Sequence, residues 1–243
     1  MKLLGYVLVS SAAFAFSLAA NAQMQMQSPI PGIERQCVLN HPFQADIAIT
    51  ATGVDKDKPP MDFAMPGKVV RDSEGRQKID MNIQLPGSDE SHAMSMIFDP
   101  PAGKMDVLLP EIKKIMKKDM DQVHCAPQPS EPDFSAITKE GGKVEPLGVE
   151  NIGDLKATGY HITYDVPGKD GKLSKLDMEF WTDMYQAIPV KMTMKAGDSF
   201  QMVMKFTNVK LVEPPASAFV VPADYTEMKM PTPEEVQGLP AKK

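Results

Sequence analysis

Apolar and polar residues alternate along most of this 243-residue chain. The segment FQADIAITAT (43–52) places Phe43, Ala45, Ile47 and Ile49 on one side, which is the period-two pattern of a half-buried β-strand. Similar alternation recurs in the segments 61–72, 78–85, 92–99, 104–109, 144–166, 175–183 and 189–207. Because short turns separate most of these segments, the chain is predicted to be mainly β and antiparallel.

Glycine, proline and aspartate mark the turns between the alternating segments. DSEG (72–75) and DPPAG (99–103) each separate two such segments, and residues of these types favour tight turns. Pro66-Gly67 lies within the 61–72 segment, where a proline and a glycine indicate a bulge or a bend.

The pattern changes between Pro110 and His124. Proline suits the first position of a helix, and the apolar residues that follow have helical spacing, with lysines largely off their stripe. These apolar residues are Ile112, Ile115, Met116, Met120 and Val123. We therefore predict one principal helix over 110–124, which makes the fold α+β, and expect this helix to act as a lid.

The first 22 residues predict export. Lys2 precedes an almost entirely apolar stretch, and Ala20-Asn21-Ala22 supplies the small residues that a signal peptidase requires. Cleavage is predicted before Gln23, and no cysteine lies at that junction to carry a lipid. We therefore expect a soluble periplasmic protein that does not span the membrane.

The rest of the chain is predicted to form one domain with flexible ends. Residues 23–36 and 229–243 are the flexible segments, and residues 37–228 form a single β-rich domain. Within it, residues 126–142 are rich in Pro, Ser and Gly. They predict a loop or lid with at most a short helical turn at 134–139.

Composition excludes several classes of function. The net charge of −6 gives no reason to expect a nucleic-acid partner. The sequence contains no G-x-S-x-G, H-E-x-x-H or glycine-rich phosphate motif. We therefore predict that the protein is not an enzyme, has no cofactor, and is a monomer.

The only cysteines are Cys37 and Cys125. In an exported chain, two cysteines are most simply explained by one disulfide. His41 and His124 lie close to them in sequence, so a Cys2His2 metal site is the alternative. We favour the disulfide and predict no metal site.

Methionine occurs 19 times and recurs as Met-x-Met pairs. The pairs are at 24/26, 94/96, 192/194, 202/204 and 228/230. If residues 197–199 form a three-residue loop, Met194 faces Met202 and Met192 faces Met204, so all four thioethers share one buried face. A two-residue loop would scatter them over both faces.

Three interpretations of this methionine-rich face are open. It is an ordinary core, an adaptable apolar pocket, or a site for soft Cu(I), although none of the strand pairs has an adjacent histidine. The candidate ligand-binding residues are those on the apolar strand faces and the helix stripe: Met81, Met94, Met96, Phe98, Met105, Ile115, Met116, Met178, Phe180, Met192, Met194, Met202, Met204 and Phe206.

The second half of the chain carries a family resemblance. PLGVENIGDLKATGYHITYDV (146–166) gives a G-x-E-x-I-G turn before a T-G-Y strand. A Trp-containing strand, an IPVK strand and a closing PPASAFVVPADY follow. Over about residues 40–228 the chain resembles exported bacterial domains of the lipoprotein-carrier-like (LolA/LolB-like) group. The resemblance implies a strongly curved antiparallel half-barrel, closed by helices, whose apolar concavity holds acyl chains in the carrier proteins.

These observations combine into one expectation of function. We expect non-catalytic binding of an apolar ligand, a lipid or acyl chain, with a role in lipid or lipoprotein handling in the cell envelope. An envelope protein is a second possible partner. The alternatives are a structural or protein-interaction domain with a fully packed core, and a periplasmic copper binder.

Overall fold

The computed structural model describes residues 37–53, 61–84, 91–167, 173–197 and 200–229. They form twelve strands in a single sheet. The strands are β1 (Phe43–Gly53), β2 (Met61–Arg71), β3 (Gln77–Gln84), β4 (Ser91–Asp99), β5 (Lys104–Leu109), β6 (Lys114–Asp119), β7 (Lys143–Ile152), β8 (Leu155–Pro167), β9 (Leu173–Asp183), β10 (Ile188–Ala196), β11 (Phe200–Lys210) and β12 (Thr226–Glu227).

The sheet is open and almost entirely antiparallel. Its order is β12-β6-β5-β4-β3-β2-β1-β11-β10-β9-β8-β7, and the pair β12–β6 is parallel. Two meanders, β1–β6 and β7–β11, are joined where β1 pairs with β11. The predicted mainly β, antiparallel half-barrel is confirmed.

The prediction of a principal helix over 110–124 is wrong. Pro110–Ile112 is one 3₁₀ turn, Lys113 adopts a left-handed φ of 50°, and the chain continues as strand β6. Ile115 and Met116 are both buried, on opposite faces of β6. A strand that is covered on both faces loses its alternation, because successive apolar residues are then favourable. This double burial produced the spacing that resembled a helix.

Helix α1 (Ser135–Lys139) lies instead within the 126–142 segment. It has five residues and buries Ile137 against the concave side of the sheet. The short helical turn predicted there is confirmed. Within the described residues, no helix is both long and apolar enough to span a bilayer.

The sheet turns a corner at Pro66-Gly67. Gly67 faces Ile47 on β1 and Met81 on β3. A Cβ atom added to Gly67 would lie 2.2 Å from the carbonyl oxygen of Asp80, so the β3 backbone crosses the inner side of β2 here. Glycine permits this close approach. The β1–β2 register runs through the position without a shift, so the feature is a bend and not a bulge.

Most buried apolar side chains belong to three linked clusters. The first contains Met81, Ile83, Met94, Met96, Phe98, Met105, Val107, Leu109 and Met116. The second contains Phe43, Ala45, Ile47, Val69, Leu155, Ala157, Trp181, Ile188, Val190 and Phe206. The third contains Ile137, Ile162, Leu176, Met178, Phe180, Met192 and Met194. Partly buried Ile49 and Ile79 touch the first two clusters, and Met204 touches the second and third.

A C-terminal strap, residues 211–229, covers the convex face of β4–β6. Phe219, Val221 and Tyr225 of the strap pack on a fourth cluster formed by Ile97, Leu108 and Ile115. Lys113 Nζ lies 2.8 Å from Asp224 Oδ2, and Lys117 Nζ lies 3.0 Å from Glu227 Oε2. The strap therefore buries apolar side chains under a rim of exposed ion pairs.

The predicted Cys37–Cys125 disulfide is confirmed. The bond lies beside Gly75 in the β2–β3 turn. Val38 and Ala126 form an isolated parallel bridge next to it. The disulfide thus joins the start of the domain to the segment after β6.

Candidate functional site: the concave face of the sheet

The register predicted for residues 189–207 is confirmed. Ala196 faces Phe200, Met194 faces Met202, and Met192 faces Met204. Strand β10 ends at Ala196 and β11 begins at Phe200, with Gly197 at a φ of 57°. The connection is therefore the three-residue loop, and it places the four thioethers on the concave face.

The paired strands align these methionines with apolar residues of six strands. Ile49 lies between Met65 and Met204, and Met192 lies between Met204 and Phe180. We call this line of side chains the central row: Met65, Ile49, Met204, Met192, Phe180 and Tyr160. A parallel second row runs Phe63, Ala51, Met202, Met194, Met178, Ile162 and Val144.

Exposure along the two rows is uneven. Met192, Phe180, Met194 and Met178 are buried by neighbouring side chains. The residues on β1, β2 and β11 near the β1–β2 connection are only half-buried, apart from Ala51. We call these residues the open strip: Phe63, Met65, Ile49, Met204 and Met202. A half-buried apolar strip on a concave surface is where a ligand can remove further apolar area from water.

The predicted site residues on β3–β6, which we call the N-terminal wing, are packed. They are Met81, Met94, Met96, Phe98, Met105 and Met116, and none is more than 8% exposed. This wing agrees with the ordinary-core interpretation of methionine. Ile115 does not belong to the concave face, because it packs in the convex cluster under the strap.

The remaining predicted site residues lie on β9–β11. Phe206 packs in the second cluster, in tilted contact with Phe43 at a centroid distance of 6.3 Å. Met202 and Met204 belong to the open strip, while their partners Met192 and Met194 are buried. The structure therefore brings thirteen of the fourteen residues onto one face, but it leaves few of them accessible.

The 126–142 segment covers the part of this face that β8, β9 and β10 form. The Phe134 ring lies 4.8 Å from the Tyr160 ring, and Ile137 packs into the third cluster. Burial, with a smaller contribution from Glu131, raises the pKa of Tyr160. The segment thus contacts the sheet through two apolar residues, Phe134 and Ile137.

Arg71 closes the opposite end of the concave face. It faces Phe43 on β1 and is buried, with its guanidinium 4.8 Å from the centroid of the Phe43 ring. Nε donates to His41 O at 2.8 Å, Nη1 donates to Ala187 O at 3.1 Å, and Nη2 donates to Gln186 O. Burial lowers the pKa of Arg71 to about 10. The side chain ties β2 to the β9–β10 turn.

The alternative metal site at the cysteines does not form, because both thiols are in the disulfide. His41 Nδ1 lies 3.2 Å from Gln186 Oε1, and His124 is exposed. Among the residues described, no group of three or more His, Cys, Asp or Glu side chains is arranged to hold a metal ion. Met24, Met26 and Met230 of the copper hypothesis lie outside the described residues.

The sequence interpretation missed three members of the open strip: Phe63, Met65 and Ile49. Ile49 had a usable signal, since it lies on the apolar side of the first alternating segment. Phe63 and Met65 alternate with polar or small residues in 61–66. What the sequence could not show is that these positions stay accessible while the methionine pairs around them are buried.

Among known proteins, those similar to this chain are solved structures at low sequence identity. No family model and no curated protein matches the sequence. A LolA superfamily protein from Nitrosomonas europaea has 14% identity, covering 74% of this chain and 90% of that chain, with a TM-score of 0.36. LprF from Mycobacterium bovis has 13% identity, covering 76% and 90%, with a TM-score of 0.36. A DUF1329 family protein from Desulfovibrio piger has 10% identity, covering 86% and 96%, with a TM-score of 0.32.

The first of these structures belongs, by its name, to the group that the sequence resembles. Its TM-score is far below the level at which a structural match could identify a ligand. The chemistry of the concave face must therefore supply the functional interpretation.

Proposed function

We propose that the protein is a non-catalytic binder of a lipid or acyl chain, which lies along the open strip of the concave face. The observation that carries the proposal is the half-buried apolar surface formed by Met65, Ile49 and Met204 on three adjacent strands. Each methylene group moved from water onto this strip contributes about 0.8 kcal/mol. Flexible thioether side chains adapt to chains of different shape.

The proposed place of action is the bacterial cell envelope. The predicted signal peptide lies outside the described residues, so support comes from the disulfide. A Cys37–Cys125 bond forms and persists in an oxidising compartment such as the periplasm. The resemblance to lipoprotein-carrier-like domains extends the proposal to lipid or lipoprotein handling there, with an envelope protein as the expected partner.

The test compares adjacent residues that point to opposite faces of β11. Met204→Gln places a polar group on the open strip, whereas Lys205→Gln changes the convex face. Dansyl-labelled undecanoic acid is titrated against the purified, oxidised protein. We expect Met204→Gln to weaken binding about tenfold, because a buried amide without partners costs roughly 1–3 kcal/mol. Lys205→Gln should bind like the wild type.

Lipid retained by the wild-type protein is measured in parallel by mass spectrometry after purification. Absence of both retained lipid and probe binding would disprove the proposal. Equal weakening by both variants would also count against it, since the effect would not be specific to the concave face.

A structural or protein-interaction role is the second candidate, and the packing of the N-terminal wing favours it. Met116 is completely buried, as in a filled core. If the open strip is a similar, merely less covered, part of the core, the probe will not bind and Met204→Gln will alter stability alone.

A further inference from the structure

The strands β2 and β3 part from each other beyond the corner at Pro66-Gly67. Their pairing ends at Gly67 and Met81. Yet β2 stays paired with β1 as far as Met61, and β3 stays paired with β4 as far as Gln84. Each strand therefore continues with one neighbour only. We call the gap between β2 residues 62–66 and β3 residues 82–84 the wedge.

Proline at position 66 explains why the ladder stops there. Extending the register by one step would pair Pro66 with Asn82. The β1–β2 ladder runs through Pro66 undisturbed, so its nitrogen faces β3, and proline has no N–H to donate. One of the two hydrogen bonds of that pair cannot form. Gly67 then lets the β3 backbone rise over the inner side of β2.

The wedge borders the open strip. Met65 and Phe63 point inward from β2 and are half-buried, and Ile83 points inward from β3. On the convex side, the neighbouring Ala64 is exposed. An apolar chain in the wedge would therefore meet apolar side chains on the inner side and a small residue on the outer side.

Two other limits of the strip are closed by residues that the structure describes. At the opposite end, Arg71 joins β2 to the β9–β10 turn by donating to three carbonyl groups. Across β8–β10, Ile137 and Phe134 of the 126–142 segment cover the face. The β1–β11 and β10–β11 ladders are continuous beside the strip. The β10–β11 ladder stops beyond Lys191 and Lys205, where the next residues, Val190 and Phe206, are buried. Beside the half-buried residues of the strip, β2–β3 is the pair whose ladder stops.

From this arrangement we propose that the wedge is the portal through which the acyl chain enters and leaves the concave face. The inference rests on the proposed function. A portal controls the rates of binding and release, whereas the open strip determines the affinity. The two roles can therefore be separated experimentally.

The first test staples the wedge with groups that do not line the strip. Ala64→Cys and Asn82→Cys place thiols on the exposed convex sides of β2 and β3. A short bis-maleimide joins them while the native disulfide stays oxidised. The control is Thr50→Cys with Ala64→Cys, whose positions face each other in the continuous β1–β2 ladder. Stopped-flow fluorescence measures loading of dansyl-labelled undecanoic acid before and after cross-linking.

We expect the staple across the wedge to slow loading about tenfold. With the wedge held shut, the acyl chain can associate only after the protein has opened another route. The control staple should leave the rate unchanged. Equal loading with and without the wedge staple would overturn the portal while leaving the proposed function intact. Failure of the unmodified wild-type protein to bind the probe would overturn both.

The second test restores the missing donor. Pro66→Thr supplies an N–H that can pair with Asn82 and extend the β2–β3 ladder. We expect association and dissociation to slow by the same factor, with the dissociation constant unchanged. A change in the dissociation constant with unchanged association would assign Pro66 to the binding surface and overturn its role at a portal.

Discussion

The N-terminal wing and the open strip both place methionines on the concave face, but neighbouring side chains bury those of the wing much more completely. In the wing, Met96 and Met116 are buried on the concave face, and the strap covers the convex face above Ile115. In the open strip, Met65 and Met204 are half-buried. The comparison teaches that methionine content does not identify a binding surface. The cover that neighbouring side chains give on the concave face itself decides which methionines become core.

The largest expected effect concerns the anchor of the wing. Cys37→Ser with Cys125→Ser should lower the free energy of unfolding by about 4 kcal/mol, because the disulfide restricts a long loop in the unfolded chain. Urea denaturation of the variant and the wild type measures the change. Gly75 packs against the disulfide, so the wing should loosen more than the strip.

Hydrogen exchange locates that loosening. Amides of β3 and β6 should lose more protection than amides of β11. A uniform loss over the whole sheet would show that the disulfide does not act preferentially on the wing.

The second prediction compares one truncation in the two regions. Met116→Ala should cost about 3 kcal/mol, because a fully buried side chain leaves a cavity. Met204→Ala should cost about 1 kcal/mol, because its site is half exposed to water already. Urea denaturation measures both values, provided that the free energy of unfolding depends equally steeply on urea concentration in the two variants. Equal costs would mean that the strip is as well packed as the wing, and the distinction between them would fail.

Much of the fold could be predicted from local sequence, for physical reasons that particular residues make clear. Alternation and turn chemistry fixed the hairpin of β10 and β11, because a one-residue slip would expose Met192 and Met204. The pairing of β1 with β11 could not be predicted, since it joins residues about 150 positions apart and leaves no local signal. Strand β6 was mistaken for a helix because both its faces are covered.

The candidate site was predicted only in part for a similar reason. Apolar faces are a property of each strand, so the sequence identified the concave side correctly for every predicted residue except Ile115. The solvent exposure of each side chain depends instead on how far the N-terminal wing bends inward at Gly67 and on where α1 packs. Neither follows from the pattern of a single strand, and Met65 and Ile49 were therefore missed.

The third prediction separates thioether chemistry from apolar area in the strip. Met202→Leu with Met204→Leu should keep binding of the dansyl fatty acid within about twofold and stability within about 1 kcal/mol, because Leu and Met have similar volumes. Fluorescence titration and urea denaturation check both. A Cu(I) competition assay on the same variant addresses the copper hypothesis. Loss of Cu(I) binding, with fatty-acid binding retained, would show that the strip is a metal site as well.

The smallest expected effect concerns the exposed rim of the strap. The hydrogen bond from Lys113 lowers the pKa of Asp224 below its ordinary value of 3.8. A carboxylate with a depressed folded-state pKa stabilises the fold above its unfolded pKa and loses that contribution as pH falls through the folded pKa. The pair is exposed, so its effect should be small and weakened by salt. Asp224→Asn should therefore lower Tm slightly at pH 6, and the difference from the wild type should disappear once the pH is low enough to protonate Asp224 in both the folded and the unfolded state. Asp154→Asn, in the exposed β7–β8 turn, is the control. If Asp224→Asn leaves Tm unchanged at pH 6, this ion pair contributes nothing, and the strap is held by its other contacts, among them Phe219, Val221 and Tyr225.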